Sequence, residues 1–292
     1  ITKGIYILPY FKPIKTMICS TLIASLAMSA TATMSHQAHA DTDYYYRDGL
    51  NYPSDQQAYQ KAKKISKRSI SIQHYTKANQ NNLKAIGRVS NMNGHKGKGK
   101  DSMGTGTVIG DHTLITNAHV IDDKNGKAAS AKYITFAMNR DGKHIPYKFH
   151  ASNVKKLPHY DIAIVHTKEK MSKYAKPIRI ASDKEINSLK FNTPLYSLGY
   201  PWQNGDNTKA YYSQLRFTQF SANGTEIMTK DIFRAGASGS PMLDSKYSKI
   251  YGLRTYGYNL WNNSTDKYAK QEMAGGESFK GKAGQFVKDN IK

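Results

Sequence analysis

From Ala85 onward the chain alternates short runs rich in Val, Ile, Leu and Thr with turns that contain Gly, Asn or Asp. These runs cover residues 86–89, 106–110, 113–116, 134–138, 162–166, 193–198 and 250–253. Regularly spaced short strands of this kind are typical of an all-β sandwich or barrel. The segments between the runs lack helical periodicity, which argues against βαβ units and a parallel sheet. A helical pattern is seen only at the end of this region, over residues 284–291.

Residues 1–40 have the composition of a secretory signal peptide. Lys12 and Lys15 precede an apolar run over residues 17–32, and a small-x-small cleavage signature ends at Ala40. The run is too short and too rich in Ser and Thr for a membrane span, which needs about 20 apolar residues. We therefore expect a secreted, extracellular protein without a membrane span.

Cysteine and histidine usage points to a domain without cross-links or metal. Cys19 is the only cysteine and lies in the predicted signal peptide, so the mature chain would have no disulfide, which favours a bacterial exported protein. Four further histidines have no metal-ligand spacing: His144, His150, His159 and His166. We expect no metal site and no cofactor.

Residues 41–84 form a polar segment rich in Gln, Lys and Tyr. Ser54, three residues before Gln57, predicts a capped helix start followed by a basic helix over residues 58–69. Two interpretations remain. The segment is either a propeptide removed on activation, with Lys67-Arg68 as the cut, or an N-terminal helix kept in the mature protein.

The chain is strongly basic, with a formal net charge of +22, of which the predicted signal peptide contributes only three lysines. Such a surface favours association with anionic cell-wall polymers. The lysines are scattered and no nucleic-acid-binding motif accompanies them, so we expect no specific nucleic-acid partner.

Three segments supply a His, an Asp and a Ser in that order, at His119, Asp161 and Ser238. A serine hydroxyl needs a neighbouring base, and that base needs a third group to fix its tautomer. Ser238 would attack a carbonyl, His119 would act as general base and then general acid, and Asp161 would orient the imidazole. The order His…Asp…Ser separates this chain from subtilisins and α/β-hydrolases, whose triads follow other orders.

The serine lies in a glycine-rich turn, Ala235-Gly236-Ala237-Ser238-Gly239. The N–H groups of Gly236 and Ser238 can point to one spot and stabilise the oxyanion, an effect of about 3–4 kcal/mol for each donor. Glycine at position 236 suits the unusual backbone conformation needed there.

These segments resemble the bacterial glutamyl endopeptidase family of trypsin-like serine proteases, which includes the exfoliative toxins. The resemblance extends over residues 85–292 and is carried by TLITNAHV, DIAIVH, GYP, GASGSP and the closing FVKDNIK. It implies a chymotrypsin-like fold of two six-stranded antiparallel β-barrels with the active site between them, a C-terminal helix and no required cofactor. Similarity to the exfoliative toxins in particular would imply that residues 54–69 form a retained N-terminal helix over the site.

The chain departs from the family at the nucleophile and at the specificity pocket. Ala237 replaces the family's usual Asn, and it excludes the Asp–N-terminus ion pair that activates the animal relatives. Arg254 stands where members that cut after Glu have a His, and Phe233 or Arg234 stands near the place of a usual Thr. Arg254 would either bind an acidic P1 side chain (the residue before the scissile bond) as a bidentate pair, or point to solvent and leave a different pocket.

The sequence thus predicts a monomeric, secreted serine endopeptidase that acts on protein or peptide substrates, with a preference for Glu at P1. The departures at Ala237 and Arg254, with the high charge, leave an alternative. In that alternative the chain keeps the protease fold but is a catalytically weak or inactive binding protein that adheres to anionic surfaces.

Overall fold

The computed structural model describes Tyr45 and residues 47–76, 81–258 and 271–292. The predicted signal peptide lies outside these residues. The described chain is mostly β, as the sequence predicts, and its strands form one closed barrel and one large sheet.

The first half forms a closed antiparallel barrel of six strands, in the order β2-β3-β4-β7-β6-β5. Its strands are β2 (Ile86–Asn91), β3 (Ser102–Val108), β4 (Thr113–Thr116), β5 (Ile134–Met138), β6 (Tyr147–Lys156) and β7 (Ala163–Thr167). Leu114 pairs with Val165 and Ile115 pairs with Ile164, and all four side chains are buried. The β-branched and aliphatic runs noted in the sequence therefore form the barrel core.

The second half forms a nine-stranded sheet in the order β14-β15-β11-β10-β9-β12-β13-β8, with β1 paired to β10. Its strands are β1 (Ser71–His74), β8 (Arg179–Ile180), β9 (Pro194–Gly199), β10 (Tyr211–Phe220), β11 (Glu226–Phe233), β12 (Pro241–Leu243), β13 (Lys249–Leu253), β14 (Tyr256–Tyr258) and β15 (Gln271–Glu277). A bridge between Gly252 and Ser278 joins β13 to the end of β15. Six of the strands thus close into a second ring, and β1, β8 and β14 are additions to it.

Four strands of this ring fall outside the runs predicted from the sequence, namely β10, β11, β12 and β15, and two of them do not look like core strands. β11 is buried along its whole length although it contains Glu226, Lys230 and Asp231. Lys230 Nζ donates to the carbonyls of Ala62 and Ile65, and the two acids have partners described below. β15 contains consecutive glycines, which weaken any strand pattern.

The residues that the structure describes include four α-helices: α1 (Ser54–Lys63), α2 (Ala118–Ile121), α3 (Asp183–Asn187) and α4 (Lys282–Asp289). The C-terminal helix was predicted and is confirmed as α4. Helix α1 ends at Lys63, earlier than the predicted residue 69. No helix in the described part of the chain is long and apolar enough to span a membrane.

Helix α1 does not begin with the predicted side-chain cap. Pro53 occupies the capping position, and the Ser54 hydroxyl accepts a hydrogen bond from Ala222 N at 2.9 Å. The Ser54 carbonyl accepts another from the buried Gln219 side chain. The capping prediction is wrong because the serine binds the β10–β11 turn, a contact distant in the sequence.

Candidate active site

His119 lies on the short helix α2, directly after barrel strand β4. Its ring Nδ1 is 2.6 Å from Asp161 Oδ2, and its main-chain N–H donates to Asp161 Oδ1 at 2.8 Å. The side chain is 32% exposed, whereas that of Asp161 is fully buried. Both carboxylate oxygens therefore orient one residue, and the bond at Nδ1 leaves Nε2 as the nitrogen available for proton transfer.

Asp161 lies in the connection between β6 and β7. Its main-chain N–H donates to Glu277 Oε1 at 2.8 Å, and its carbonyl accepts from the Asn117 side chain at 2.7 Å. Burial alone would raise the pKa of the Asp161 carboxyl, but the charge and hydrogen bonds of His119, with a smaller effect of Arg47, lower this pKa below its ordinary value. The aspartate is thus ionised at neutral pH although it is buried.

Ser238 lies in the turn between β11 and β12. Gly236 and Gly239 flank it with φ of +90° and +83°. A Cβ at Gly239 would collide with the carbonyl oxygen of Thr105, so this tight turn requires glycine. Thr105 N also donates to the Ser238 carbonyl at 2.8 Å, which fixes the turn against barrel strand β3.

The Ser238 hydroxyl donates to the carbonyl of Thr255 at 3.2 Å. Among the hydrogen bonds of the described residues, none joins Ser238 Oγ to His119. One side chain nevertheless connects the parts, because Asn117 Nδ2 donates to both Asp161 O and Thr255 Oγ1. Asn117, two residues before His119, therefore links the barrel that carries His119 and Asp161 to the sheet segment that contacts Ser238.

Along the turn, main-chain N–H groups that donate a hydrogen bond within the protein alternate with N–H groups that do not. Ala237 N donates to Arg234 O, and Gly239 N donates to Arg254 O. In the described part of the chain, the N–H groups of Gly236 and Ser238 donate to no other group. The Ala235 carbonyl accepts from Trp202 N at 2.6 Å, and because a trans peptide places C=O and N–H on opposite sides, Gly236 N–H points away from Trp202. Two free donors thus flank Ala237.

The residues predicted to bind the P1 side chain are engaged within the protein. Arg254 is 1% exposed, and its Nε and Nη2 bind the two oxygens of buried Asp231 at 2.7 and 2.9 Å. The Arg254 guanidinium also lies 5.5 Å from the centre of the Phe233 ring. Phe233 packs with Ala237 and Ala274, and Arg234 contacts the Gln203 side chain. The bidentate pair foreseen for a substrate is made to Asp231.

Several residues of the site were absent from the sequence analysis, namely Arg47, Asn117, Asp231, Thr255 and Glu277. Asn117 belongs to the histidine motif and could have been found there. The others have no motif, because their partners are set by how the sheet strands align. Among the described residues, no group of three or more His, Cys, Asp or Glu side chains could hold a metal ion.

Comparison with solved structures places this architecture among known proteases. A Glu endopeptidase in complex with MPD superposes with a TM-score of 0.59 and 15% identity over 75% of this chain and 95% of that chain. The protease Anisep from Arthrobacter nicotinovorans gives 0.53 and 16%, over 72% and 94%. A collagenase gives 0.57 and 14%, over 72% and 96%. At these identities the likeness shows the fold, which is chymotrypsin-like.

The family is identified by a match of the amino-acid sequence. The pattern of the family described as "Trypsin-like peptidase domain" matches residues 104–253, which is more than half of the chain and includes His119, Asp161 and Ser238. The chain therefore belongs to the family of trypsin-like peptidase domains.

Proposed function

We propose that this protein is a serine endopeptidase that uses Ser238 as nucleophile, His119 as general base and acid, and Asp161 as the orienting carboxylate. The observation that carries the proposal is the contact of both Asp161 oxygens with His119, at 2.6 and 2.8 Å. That contact fixes the ring so that Nε2 is the proton-transfer atom.

The reaction would proceed in two balanced halves. Ser238 Oγ bonds to the carbonyl carbon of the peptide while its proton passes to His119 Nε2. The C–N bond then breaks, the leaving amine takes the proton from His119, and an ester to Ser238 remains. A water molecule then bonds to the ester carbonyl carbon and gives a proton to His119, the bond to Ser238 Oγ breaks, Ser238 takes that proton back, and the carboxylic acid leaves. The N–H groups of Gly236 and Ser238 would hold the oxyanion in both halves.

The hydrogen bond from Ser238 to Thr255 is compatible with this role. Rotation about the Ser238 side-chain torsion moves Oγ from one staggered position to another. Catalytic hydrogen bonds are often long or misaligned before substrate binds. The proposal therefore requires Ser238 to exchange Thr255 O for His119 Nε2 when substrate arrives.

At the P1 position, the contacts of Arg254 agree with neither sequence interpretation, because this side chain is not directed to solvent and its guanidinium is already paired. Arg254 is neutralised by Asp231 and almost fully buried, so an acidic P1 side chain would have to compete with an internal carboxylate. The side chains next to the nucleophile that are not paired in this way, Phe233, Ala237 and Ala274, form an apolar cluster. We propose a neutral P1 preference, to be tested with a peptide library that varies P1.

Secretion and retention of the N-terminal helix also belong to the proposal. Secretion rests on the signal-peptide pattern of residues 1–40. Retention is supported by the packing of α1, where Ala58 and Ala62 are buried against Met228 and Met273 of the second sheet. Removal of the chain up to Ile65 would expose that apolar surface and leave Lys230 without its two carbonyl partners.

The decisive experiment is labelling with a fluorophosphonate probe, followed by mapping of the adduct by mass spectrometry. We expect an adduct on Ser238, none in Ser238→Ala, and normal labelling in Ser248→Ala, whose serine is exposed in the connection between β12 and β13. Folded wild-type protein that carries no adduct would overturn the proposal and favour the non-catalytic binding protein.

A further inference from the structure

Arg47, in the segment before α1, reaches the catalytic aspartate. Its Nη2 lies 3.5 Å from Asp161 Oδ2, the same oxygen that contacts His119. Its guanidinium also lies 5.5 Å from the centre of the Tyr256 ring. Only 21% of the Arg47 side chain is exposed, so solvent screens the contact less than at a surface pair.

The residues on both sides of Arg47 are anchored to the two halves of the domain. Tyr45 OH donates to Asp122 of the barrel half, where Lys156 also binds both groups. On the other side, the Asp48 side chain accepts from Asn223 N, and Gly49 N donates to Glu226 Oε2 at 2.9 Å. These contacts on both sides fix the position of Arg47 in the folded protein.

Arg47 faces a group of buried carboxyls. Glu277 accepts from Asp161 N, and Glu226 accepts from Tyr256 OH and from Gly49 N. Burial raises the pKa of Glu226 to about 7 and raises that of Glu277 well above its ordinary value, while Arg47 acts in the opposite direction on both. The titratable groups around the guanidinium are Asp161 with its partner His119, Glu226, Glu277, Tyr256 and, next in the chain, Asp48.

We propose that Arg47 is a positioning residue of the protease, which places a positive charge against the Asp161 carboxylate and keeps it directed at His119 beside two further carboxyl groups. The proposal rests on the proposed function, because it gives Asp161 its role in orienting His119. It also makes the N-terminal segment a working part of the active site. Processing before Tyr45 preserves this part, whereas cleavage at Lys67-Arg68 removes it together with Arg47.

Replacement of Arg47 separates this role from simple packing through its dependence on pH. Arg47→Gln removes a positive charge next to Asp161. Without that charge, the pair of His119 and Asp161 binds a proton more readily, so the protonated and inactive form persists to higher pH. We expect the acidic limb of the kcat/KM profile to move up by roughly 0.5 to 1 in pH, which lowers kcat/KM about 3-fold to 10-fold at a pH on that limb. The loss lies in kcat with KM nearly unchanged, because Arg47 contacts Asp161 and not the substrate.

Two matched variants complete the experiment. Arg47→Lys keeps the charge and should return the acidic limb to within about 0.3 in pH of the wild type. Arg68→Gln removes the same charge from an exposed position of the same segment and should leave the profile unchanged. Each protein is checked by thermal unfolding and by a fluorophosphonate adduct on Ser238.

The outcomes distinguish this inference from the proposed function. A wild type without an adduct on Ser238 fails the proposed function itself. An active wild type whose pH profile coincides with that of Arg47→Gln overturns the role of Arg47 alone. If Arg47→Gln does not fold, the same substitution in a Glu226→Gln background is compared with Glu226→Gln. If the acidic limb of the double variant lies at higher pH than that of Glu226→Gln, the positioning role of Arg47 is supported. If the two limbs coincide, that role is overturned.

Discussion

Among the described residues, the strands of the nine-stranded sheet bury four Asp, Glu, Lys or Arg side chains, whereas those of the closed barrel bury one, Arg88. The barrel pairs apolar residues such as Leu114 and Ile115 with Val165 and Ile164 across neighbouring strands. The sheet buries charges, among them Asp231 paired with Arg254. An apolar core tolerates many combinations of apolar side chains, provided that their total volume and pattern are kept. A buried charge, in contrast, destabilises the fold unless it is paired with a specific partner.

The proposed active site divides along the same line. The barrel half supplies His119 and Asp161, and both lie in motifs that can be recognised in the sequence. The sheet half supplies Ser238 together with the carbonyl of Thr255 and the buried acid Glu277, and it holds the N-terminal segment that carries Arg47. The difference teaches that the sheet half depends on electrostatic complementarity, and the following predictions test this contrast.

The largest effect concerns the barrel's contribution to catalysis. Asp161→Asn should lower kcat/KM about 10⁴-fold, because an amide favours the wrong tautomer of His119. Steady-state cleavage of a peptide substrate measures it, with Asp289→Asn on the exposed face of α4 as the control. A loss of tenfold or less would remove Asp161 from the proposed triad.

The second prediction breaks the buried ion pair of the sheet. Arg254→Met leaves Asp231 without its partner and should lower the free energy of unfolding by about 3–5 kcal/mol, measured by urea denaturation. The double variant Arg254→Met/Asp231→Leu should recover most of that loss, because no unpaired charge remains. Equal losses in the single and double variants would show that packing, and not charge pairing, accounts for the effect.

The third prediction uses pH to compare the two halves. The buried Glu226 has a pKa near 7 in the folded protein against an ordinary value of 4.5, so its contribution to stability is complete below about pH 4.5 and is lost as pH rises through 7. Glu226→Gln should therefore reduce the loss of unfolding free energy between pH 5 and pH 8 by about 1–3 kcal/mol.

A barrel variant supplies the control for this measurement. Ile115→Val removes one buried methylene from the barrel and should cost about 0.5–1.5 kcal/mol equally at pH 5 and pH 8. If Glu226→Gln follows the wild type at both pH values, the ionisation of Glu226 does not affect stability.

The smallest effect is expected at an exposed ion pair. Arg179 binds both oxygens of Glu185 at 2.8 and 2.6 Å, but the Arg179 side chain is 55% exposed. Arg179→Gln should change the unfolding free energy by about 1 kcal/mol or less, and added salt should reduce even that. A loss as large as that of Arg254→Met would contradict the distinction between buried and exposed pairs.

How much the sequence could predict also differs between the halves. The runs at 113–116 and 134–138 coincide with β4 and β5, because β-branched side chains in a barrel pack against one another locally. β11 was not predicted, since its three buried charged residues resemble a solvent-exposed segment. Ser54 was assigned as a helix cap because local capping is the common use of such a serine, whereas here a distant turn binds it.

The functional assignments follow the same rule. The roles of His119, Asp161, Gly236 and Ser238 were predicted from motifs and from their order, and they stay predictions until the labelling experiment is done. Arg254 was read as a substrate ligand because the sequence did not reveal Asp231 as its partner. Arg47 lay in a segment whose fate the sequence left open between propeptide and retained helix.

The sequence by itself determined the all-β class and the three motifs that place this chain among trypsin-like peptidases, because strand periodicity and a glycine-flanked serine are local properties. Only the tertiary structure decided which carboxylate Arg254 binds, that the N-terminal segment completes the sheet, and that Arg47 reaches Asp161. Those contacts join residues far apart in the sequence, since Arg47 and Asp161 are separated by 114 positions and Gly49 and Glu226 by 177. Partners for buried charges are chosen by strand register and desolvation, which act only once the chain is folded.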